Sequence, residues 1–176
     1  DQSLLGKTKQ AAQENYFVTY DTTDTPRLAA VRLRVLPHQS LPKNGPGLAG
    51  NGNFVLTSVE VRLDGEEIPL VSADADHGQP RFPIQNVIDG HSETGWAINI
   101  GKGSAKGMTM NREHEAQFVF AKPIETQGRV LEVILRHEKN NHYNIGRFAI
   151  DASPTPPAPI KSEKLLAALN TKEKER

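Results

Sequence analysis

The sequence predicts an all-β fold, specifically an antiparallel β-sandwich of jelly-roll type. Short segments rich in β-branched and aromatic residues recur along the chain, and clusters of Gly, Pro, Asn and Asp separate them. No apolar pattern of helical period competes with these segments before residue 160. About eight short strands without intervening helices are typical of two packed antiparallel sheets.

The strand signal is clearest at 28–36. Apolar residues at odd positions there alternate with Arg32 and Arg34, which is the period of a half-buried strand. The predicted strands are 16–20, 28–36, 54–63, 95–100, 116–120, 130–137 and 145–150.

The composition changes after the last predicted strand. We predict that residues 1–152 form the sandwich and that 153–160 is a proline-rich linker, because proline lacks a ladder donor and favours extended geometry. Residues 161–176 show a helix-like pattern of Leu, Lys and Glu. We interpret them as a short helix or tail leading to a following domain, with a partner-binding helix as the alternative. Because the chain opens at Asp1, we expect a mature form or a piece of a longer protein.

Charge and cysteine content disfavour several classes of partner. The 21 basic and 21 acidic residues balance, so electrostatic capture by nucleic acid or an anionic membrane is not expected. The chain has no Cys, which excludes disulfides, thiolate zinc sites and covalent haem attachment within it. No apolar run reaches membrane-spanning length, so membrane insertion is not expected.

Several catalytic motifs match in letters but lack the context that their chemistry requires. The G-x-G-x-x-G at 45–50 precedes a predicted strand where a helix is needed, and the glycines at 101–107 lack the G-K-[ST] ending. The segment 137–142 has one residue too many for H-E-x-x-H, and we interpret it as a solvated hairpin turn. Ser92 follows a His but sits on no nucleophile elbow. We therefore predict no enzyme activity. A glycan-active enzyme with paired carboxylates stays as a weak alternative.

The most informative segment is 86–96, which contains an Asp89-Gly90 turn, Thr94 and the single Trp of the chain, Trp96. Oxygen-rich turns suit Ca²⁺, so Asp89 and Thr94 are the candidate ligands of a structural calcium ion. An ordinary Asp-Gly turn is the alternative. Trp96 is either a core residue or a platform for a sugar ring.

Two ordered blocks of motifs resemble a known family. The first block is VRLRVLP at 31–37, SLP at 40–42, GPG at 45–47 and NGNFVL at 51–56. The second is IDG at 88–90, GWAI at 95–98, HEAQF at 114–118 and IGRF at 145–148. Together they resemble the discoidin-like module of large planctomycete-type cytochrome c proteins over residues 16–150. The Asp-Gly, Thr and Trp element is similar, more loosely, to galactose-binding-like and F5/8 type C domains.

The resemblance implies a non-catalytic jelly-roll module in an extracytoplasmic host, periplasmic or at the cell surface, whose haem groups belong to other domains. We therefore predict a carbohydrate-binding, lectin-like module whose partners are a glycan and the neighbouring domains of the parent chain. Trp96 and His114 are the expected contacts to a sugar ring and its hydroxyl groups, and Asn53 and Arg147 are weaker polar candidates. The alternative is a scaffold domain that positions neighbouring redox domains and binds no small ligand.

Overall fold

A computed structural model describes residues 2–6, 12–101 and 109–160 of the chain. Within these ranges the secondary structure is almost entirely β. Its strands are β1 (Leu4–Leu5), β2 (Tyr16–Asp21), β3 (Arg27–Val35), β4 (Ser58–Leu63), β5 (Glu66–Glu67), β6 (Leu70–Ala75), β7 (His114–Glu125), β8 (Val130–Arg136) and β9 (Arg147–Ser153). Two short 3-10 helices span Pro42–Asn44 and Ile84–Ile88.

The strands form two antiparallel sheets, which confirms the prediction of an all-β sandwich. One sheet has the order β1-β9-β3-β7-β6 and the other has the order β2-β8-β4-β5. In the first sheet, β3 pairs with both β7 and β9, so that Arg32 lies opposite Gln117 on one side and Asp151 on the other. The predicted tail at 161–176 lies outside the described residues.

The core lies between the sheets, and the alternation seen in the sequence produces it. Along β4, Val59, Val61 and Leu63 are buried, while the residues between them are half-buried and face outwards. On β3, Leu33 and Val35 enter the same core, and Arg32 and Arg34 remain on the outer face. Period-two patterning therefore determines which face of each sheet is apolar.

The predicted strand at 95–100 is wrong. This segment is a buried loop that makes one isolated bridge, between Trp96 and Leu56, and the backbone N–H of Ile98 is taken by the side chain of Asn53. An apolar run bounded by glycines has the composition of a strand, but burial of its side chains does not require a sheet partner. The sequence pattern also does not predict β6, and β9 extends to Ser153, the first residue of the predicted linker.

His137 is buried, which corrects the interpretation of 137–142 as a solvated turn. Its ring is 1 % exposed, with Nδ1 2.7 Å from the carbonyl oxygen of Glu14 and Nε2 accepting the N–H of Ile145 at 3.3 Å. This pattern fixes a neutral ring that donates through Nδ1 and accepts through Nε2. Burial lowers the pKa of His137 to about 4, against the weaker opposing effect of the Glu14 hydrogen bond.

We predict that His137 makes the fold sensitive to mild acid. The pKa is lower in the folded chain than the ordinary 6.5, so the unfolded chain binds the proton first as the pH falls. The contribution of His137 is fully present above pH 6.5 and is lost as the pH falls from there to about 4, by up to about 3 kcal/mol. Urea unfolding at pH 7.5, 6, 5 and 4 measures this loss.

The matched variant is His137→Asn, which retains an N–H donor but does not titrate in this range. We expect it to be less stable than the parent at pH 7.5 and to lose less stability than the parent between pH 6.5 and 4. Equal losses in the two proteins would contradict the assignment.

Candidate functional site

The segment that the sequence singles out forms a short turn at the protein surface. The 3-10 helix Ile84–Ile88 leads into Asp89, and Gly90 adopts a left-handed φ of 79°. The Asp89 carboxylate accepts the backbone N–H of His91 at 2.8 Å, which closes an Asx-turn. Asp89 and Gly90 therefore have a local structural role whether or not an ion binds.

Oxygen atoms crowd around the Thr94 hydroxyl in this turn. Its Oγ1 lies 3.0 and 2.8 Å from the two carboxylate oxygens of Asp89, 2.8 Å from the carbonyl oxygen of His91 and 3.4 Å from that of Asn86. A hydroxyl carries one proton, so it can donate fully to only one of these acceptors. Two of these acceptors also receive backbone donors, since His91 N–H donates to Asp89 and Thr94 N–H donates to the His91 carbonyl at 3.3 Å.

Trp96 lies in the core and is 0 % exposed. Its ring packs edge-on against Phe54 at 5.0 Å between centroids, and its Nε1–H donates to the carbonyl oxygen of His77 at 2.7 Å. Its backbone exchanges two hydrogen bonds with Leu56. The stacking role predicted for Trp96 needs an exposed ring face, and this conformation provides none.

His114 is also buried, at the start of β7. Its Nδ1 is 3.0 Å from the Asp76 carboxylate and its Nε2 is 3.0 Å from the carbonyl oxygen of Met110. Arg112 reaches the same Asp76 oxygen at 2.7 Å. Burial acts to raise the pKa of Asp76, but the His114 hydrogen bond and the Arg112 guanidinium outweigh this effect and hold it below its usual range. This cluster fixes the chain entering β7.

Asn53 and Arg147 use their polar atoms within the fold. The Asn53 amide donates to Gln79 at 3.3 Å and accepts the N–H of Ile98 at 3.0 Å, and the residue is buried. Arg147 is half-buried and donates through Nη1 to the carbonyl oxygen of Pro37 at 3.2 Å. Both residues hold connections between strands in place.

The structure brings three of the predicted ligand residues together, but in the interior. The segment 77–79 joins them: His77 accepts from Trp96, its ring lies 5.7 Å from that of His114, and Gln79 accepts from Asn53. Arg147 lies apart from this network. The assignment of these four residues as ligand contacts stays a prediction. The buried positions of Trp96, His114 and Asn53 do not favour it.

A groove beside the Asp89 turn offers an accessible site, which we call the loop groove. It has a volume of about 640 Å³. It runs between the 88–92 turn, the chain around β5, the first residues of β4 and the last residue of β8. Apolar surface comes from Ile68, Pro69 and Ile88. Polar groups come from Glu60, Glu67, Arg136 and Glu138, together with His91 and Ser92 of the turn.

The charged groups of the loop groove are held in fixed positions. Arg136 donates through Nε to Glu60 at 2.5 Å and lies 3.8 Å from Glu138. The hydrogen bond from Arg136 holds the pKa of Glu60 below its usual range despite partial burial. Glu60 and Arg136 come within reach of each other because Ser58 of β4 pairs with Arg136 of β8, which places Glu60 diagonally across from Arg136. The sequence shows the alternation, but it cannot show this register.

A second groove crosses the outer face of the five-stranded sheet, and we call it the sheet groove. It has a volume of about 1060 Å³ and is lined by Arg32, Gln117, Asp151 and the segment 157–160, among others. Arg32 and Arg34 share the Asp151 carboxylate at 3.0 Å each, so Asp151 has a lowered pKa although partial burial opposes the shift.

Two absences hold for the described ranges. No group of three or more His, Asp or Glu side chains there could hold a metal ion, so an ion at the Asp89 turn would depend largely on backbone oxygens. No helix in these ranges is long and apolar enough to cross a membrane.

A scan against protein-family models, a search of curated proteins and a search of solved structures each found no match to this chain.

We predict that Trp96→Ala destabilises the fold strongly. The substitution removes a fully buried ring and leaves the His77 carbonyl without its indole donor, so it should cost about 3–5 kcal/mol in the free energy of unfolding. Denaturant unfolding measures the loss. Phe17→Ala is the control, because Phe17 is 59 % exposed and should cost much less. Similar costs for the two variants would contradict the core assignment.

Proposed function

We propose that this chain is a non-catalytic carbohydrate-binding module and that the glycan binds in the loop groove. The observation that carries the proposal is the combination of apolar and polar surface in one accessible groove beside the Asp89 turn. A pyranose ring has an apolar face of C–H groups and a rim of hydroxyl groups. Ile68, Pro69 and Ile88 suit the first, and the carboxylates of Glu60 and Glu138 accept hydrogen bonds from the second.

The charge of the loop groove favours a neutral glycan. Three carboxylates, from Glu60, Glu67 and Glu138, line the groove with the guanidinium of Arg136, and Arg62 contacts Glu60 at 2.9 Å from beside the lining, so acidic groups still outnumber basic ones. A uronic acid or a sulfated sugar would place further negative charge beside them, which costs free energy at partly desolvated positions. We therefore propose neutral hexose polymers as the ligand class.

We also propose Ca²⁺ as a structural ion of the Asp89 turn. The ion would use the carboxylate of Asp89, the carbonyl oxygens of Asn86 and His91 and the hydroxyl of Thr94. The closeness of these oxygens, each within 3.4 Å of the Thr94 hydroxyl oxygen, supports this donor set. A bound ion would hold His91 and Ser92 in position at the edge of the loop groove.

The wider setting is proposed from the sequence resemblance. We propose a jelly-roll arrangement of the sandwich, a C-terminal helix, and an extracytoplasmic multidomain host in which neighbouring domains carry haem. Two antiparallel sheets are compatible with this arrangement.

A scaffold domain that positions neighbouring domains is the second candidate. One observation favours it: the proline-rich segment after β9 lies against the sheet groove, with the Ala158 carbonyl accepting from Gln117 at 2.9 Å. A linker held in this way restricts the direction in which the chain leaves the sandwich. The two candidates differ in whether the loop groove binds a ligand.

We predict that filling the loop groove abolishes glycan binding. Ser92 is exposed at its edge, so Ser92→Trp should block the groove without disturbing the core. Glu138→Gln should weaken binding about 5–13-fold, because Gln keeps an acceptor oxygen and loses only the difference of about 1–1.5 kcal/mol between a charged and a neutral hydrogen bond. Affinity electrophoresis and calorimetry with soluble neutral polysaccharides measure both effects.

The control is Gln39→Trp, which adds the same side chain at an exposed position outside both grooves. It should bind as the parent does. Absence of binding to every neutral, acidic and amino polysaccharide tested would contradict the carbohydrate proposal and favour the scaffold. Parent-like binding by Ser92→Trp would place the ligand elsewhere.

We predict that calcium raises the melting temperature of the parent and has little effect on Asp89→Asn. The Asn side chain can still accept the N–H of His91, so the turn is retained while one negative charge is removed. Calcium at 100 times its dissociation constant should stabilise the parent by about 2.7 kcal/mol. Thermal melts with calcium and with chelator measure the difference. An unchanged parent midpoint at millimolar calcium would contradict the site.

A further inference from the structure

The proline-rich segment after β9 turns back over the sheet from which it emerges. At the end of β9, the Ser153 hydroxyl donates to the carbonyl oxygen of Thr155 at 2.7 Å and accepts its N–H at 3.4 Å. This local turn directs residues 154–160, which we call the strap, away from the strand direction. Residues 157–160 of the strap then line the sheet groove.

Exposure varies along the part of the strap that lines the sheet groove. Pro157 and Ile160 are half-buried, whereas Pro156, Ala158 and Pro159 are exposed. An extended proline-rich segment has three residues per turn, so positions 157 and 160 fall on the same side. The strap therefore has Pro157 and Ile160 partly covered, on one side, and leaves its other side chains exposed to solvent.

The sheet surface beside the strap offers it a small residue and a hydrogen-bond donor. Ala30 and Gln117 are 1 % and 4 % exposed, although both lie on the outer face with the exposed Arg32. A small side chain on the central strand β3 leaves room for the strap, and Gln117 donates to the Ala158 carbonyl. Burial of outward-facing residues, together with a hydrogen bond that joins residues 41 positions apart, indicates a specific contact.

We propose that the outer face of the five-stranded sheet is a docking surface whose occupant is this chain's own proline-rich strap. The strap is then a fixed arm that sets the direction in which the chain continues after Ile160. The strap already lies at this face: Pro157 and Ile160 are half-buried there, and the Ala158 carbonyl accepts a hydrogen bond from Gln117. The proposal is independent of glycan binding, because the loop groove involves none of these residues.

Paired spin labels test the proposal directly. The chain has no cysteine, so Ala158→Cys with Glu67→Cys places unique labels on the exposed side of the strap and on β5. A docked strap should give one narrow distance by pulsed dipolar spectroscopy. An undocked strap pivots about Ser153 and should spread the distance by on the order of 10 Å.

Two further variants separate docking from stiffness of the strap alone. Ala30→Lys places a long charged side chain under the strap, and Ile160→Ser removes an apolar contact from the strap without touching the core. Both should broaden the distance distribution, while Thr19→Lys, exposed on the other sheet, should leave it narrow. If Ala30→Lys lowers the melting temperature strongly, docking is judged from the distance distribution of Ile160→Ser alone.

A broad distribution in the parent would overturn the proposal, and so would an unchanged narrow distance in Ile160→Ser. Dilution of the labelled chain with excess unlabelled chain identifies the occupant. The narrow distance should persist on dilution. Its loss would show that the strap docks on a second copy and would overturn the assignment to the same chain.

Discussion

The hydrogen bond from the Trp96 indole to the carbonyl of His77 is the interaction that holds the Asp89 turn, and with it one wall of the loop groove, in position. Burying the large ring of Trp96 brings an N–H donor into the core, where an unpaired donor is costly. The His77 carbonyl satisfies it at 2.7 Å. Because Trp96 also pairs with Leu56, this contact ties the end of the Asp89 turn to the chain that enters β4. The turn is thereby held beside the loop groove.

The strands with clear period-two alternation and their apolar faces could be predicted from the sequence, because alternation at Val31, Leu33 and Val35 directly reflects burial. The buried loop at 95–98 could not be predicted from the sequence. An apolar run has the same composition whether its backbone pairs with a strand or with the Asn53 side chain. The three polar or aromatic residues expected at a binding surface share an interior network instead. A polar side chain among apolar neighbours either contacts a ligand or satisfies a buried hydrogen bond, and the sequence alone does not separate these two roles.

The two grooves depend on register and chain path, which are three-dimensional quantities. Glu60 and Arg136 meet only because β4 and β8 pair with Ser58 opposite Arg136. Ala30 lies in the same groove as the strap only because the chain turns back over the sheet after Ser153. The glycan-binding and scaffold proposals thus use different parts of the molecule: a partly apolar groove beside the turn, and a sheet face where the proline-rich strap lies beside Ala30 and the ion pairs of Asp151. The two grooves share no lining residues.

The fluorescence of Trp96 tests the central structural claim most directly, since it is the only Trp in the chain. A ring held in the core against Phe54 should emit at short wavelength and be protected from iodide and acrylamide in the folded protein, and unfolding should remove that protection. Saturating neutral glycan should leave the emission of the folded protein essentially unchanged. Ready quenching in the folded state, or protection that appears only when glycan is added, would show that the ring faces solvent and binds the ligand, and would contradict the account.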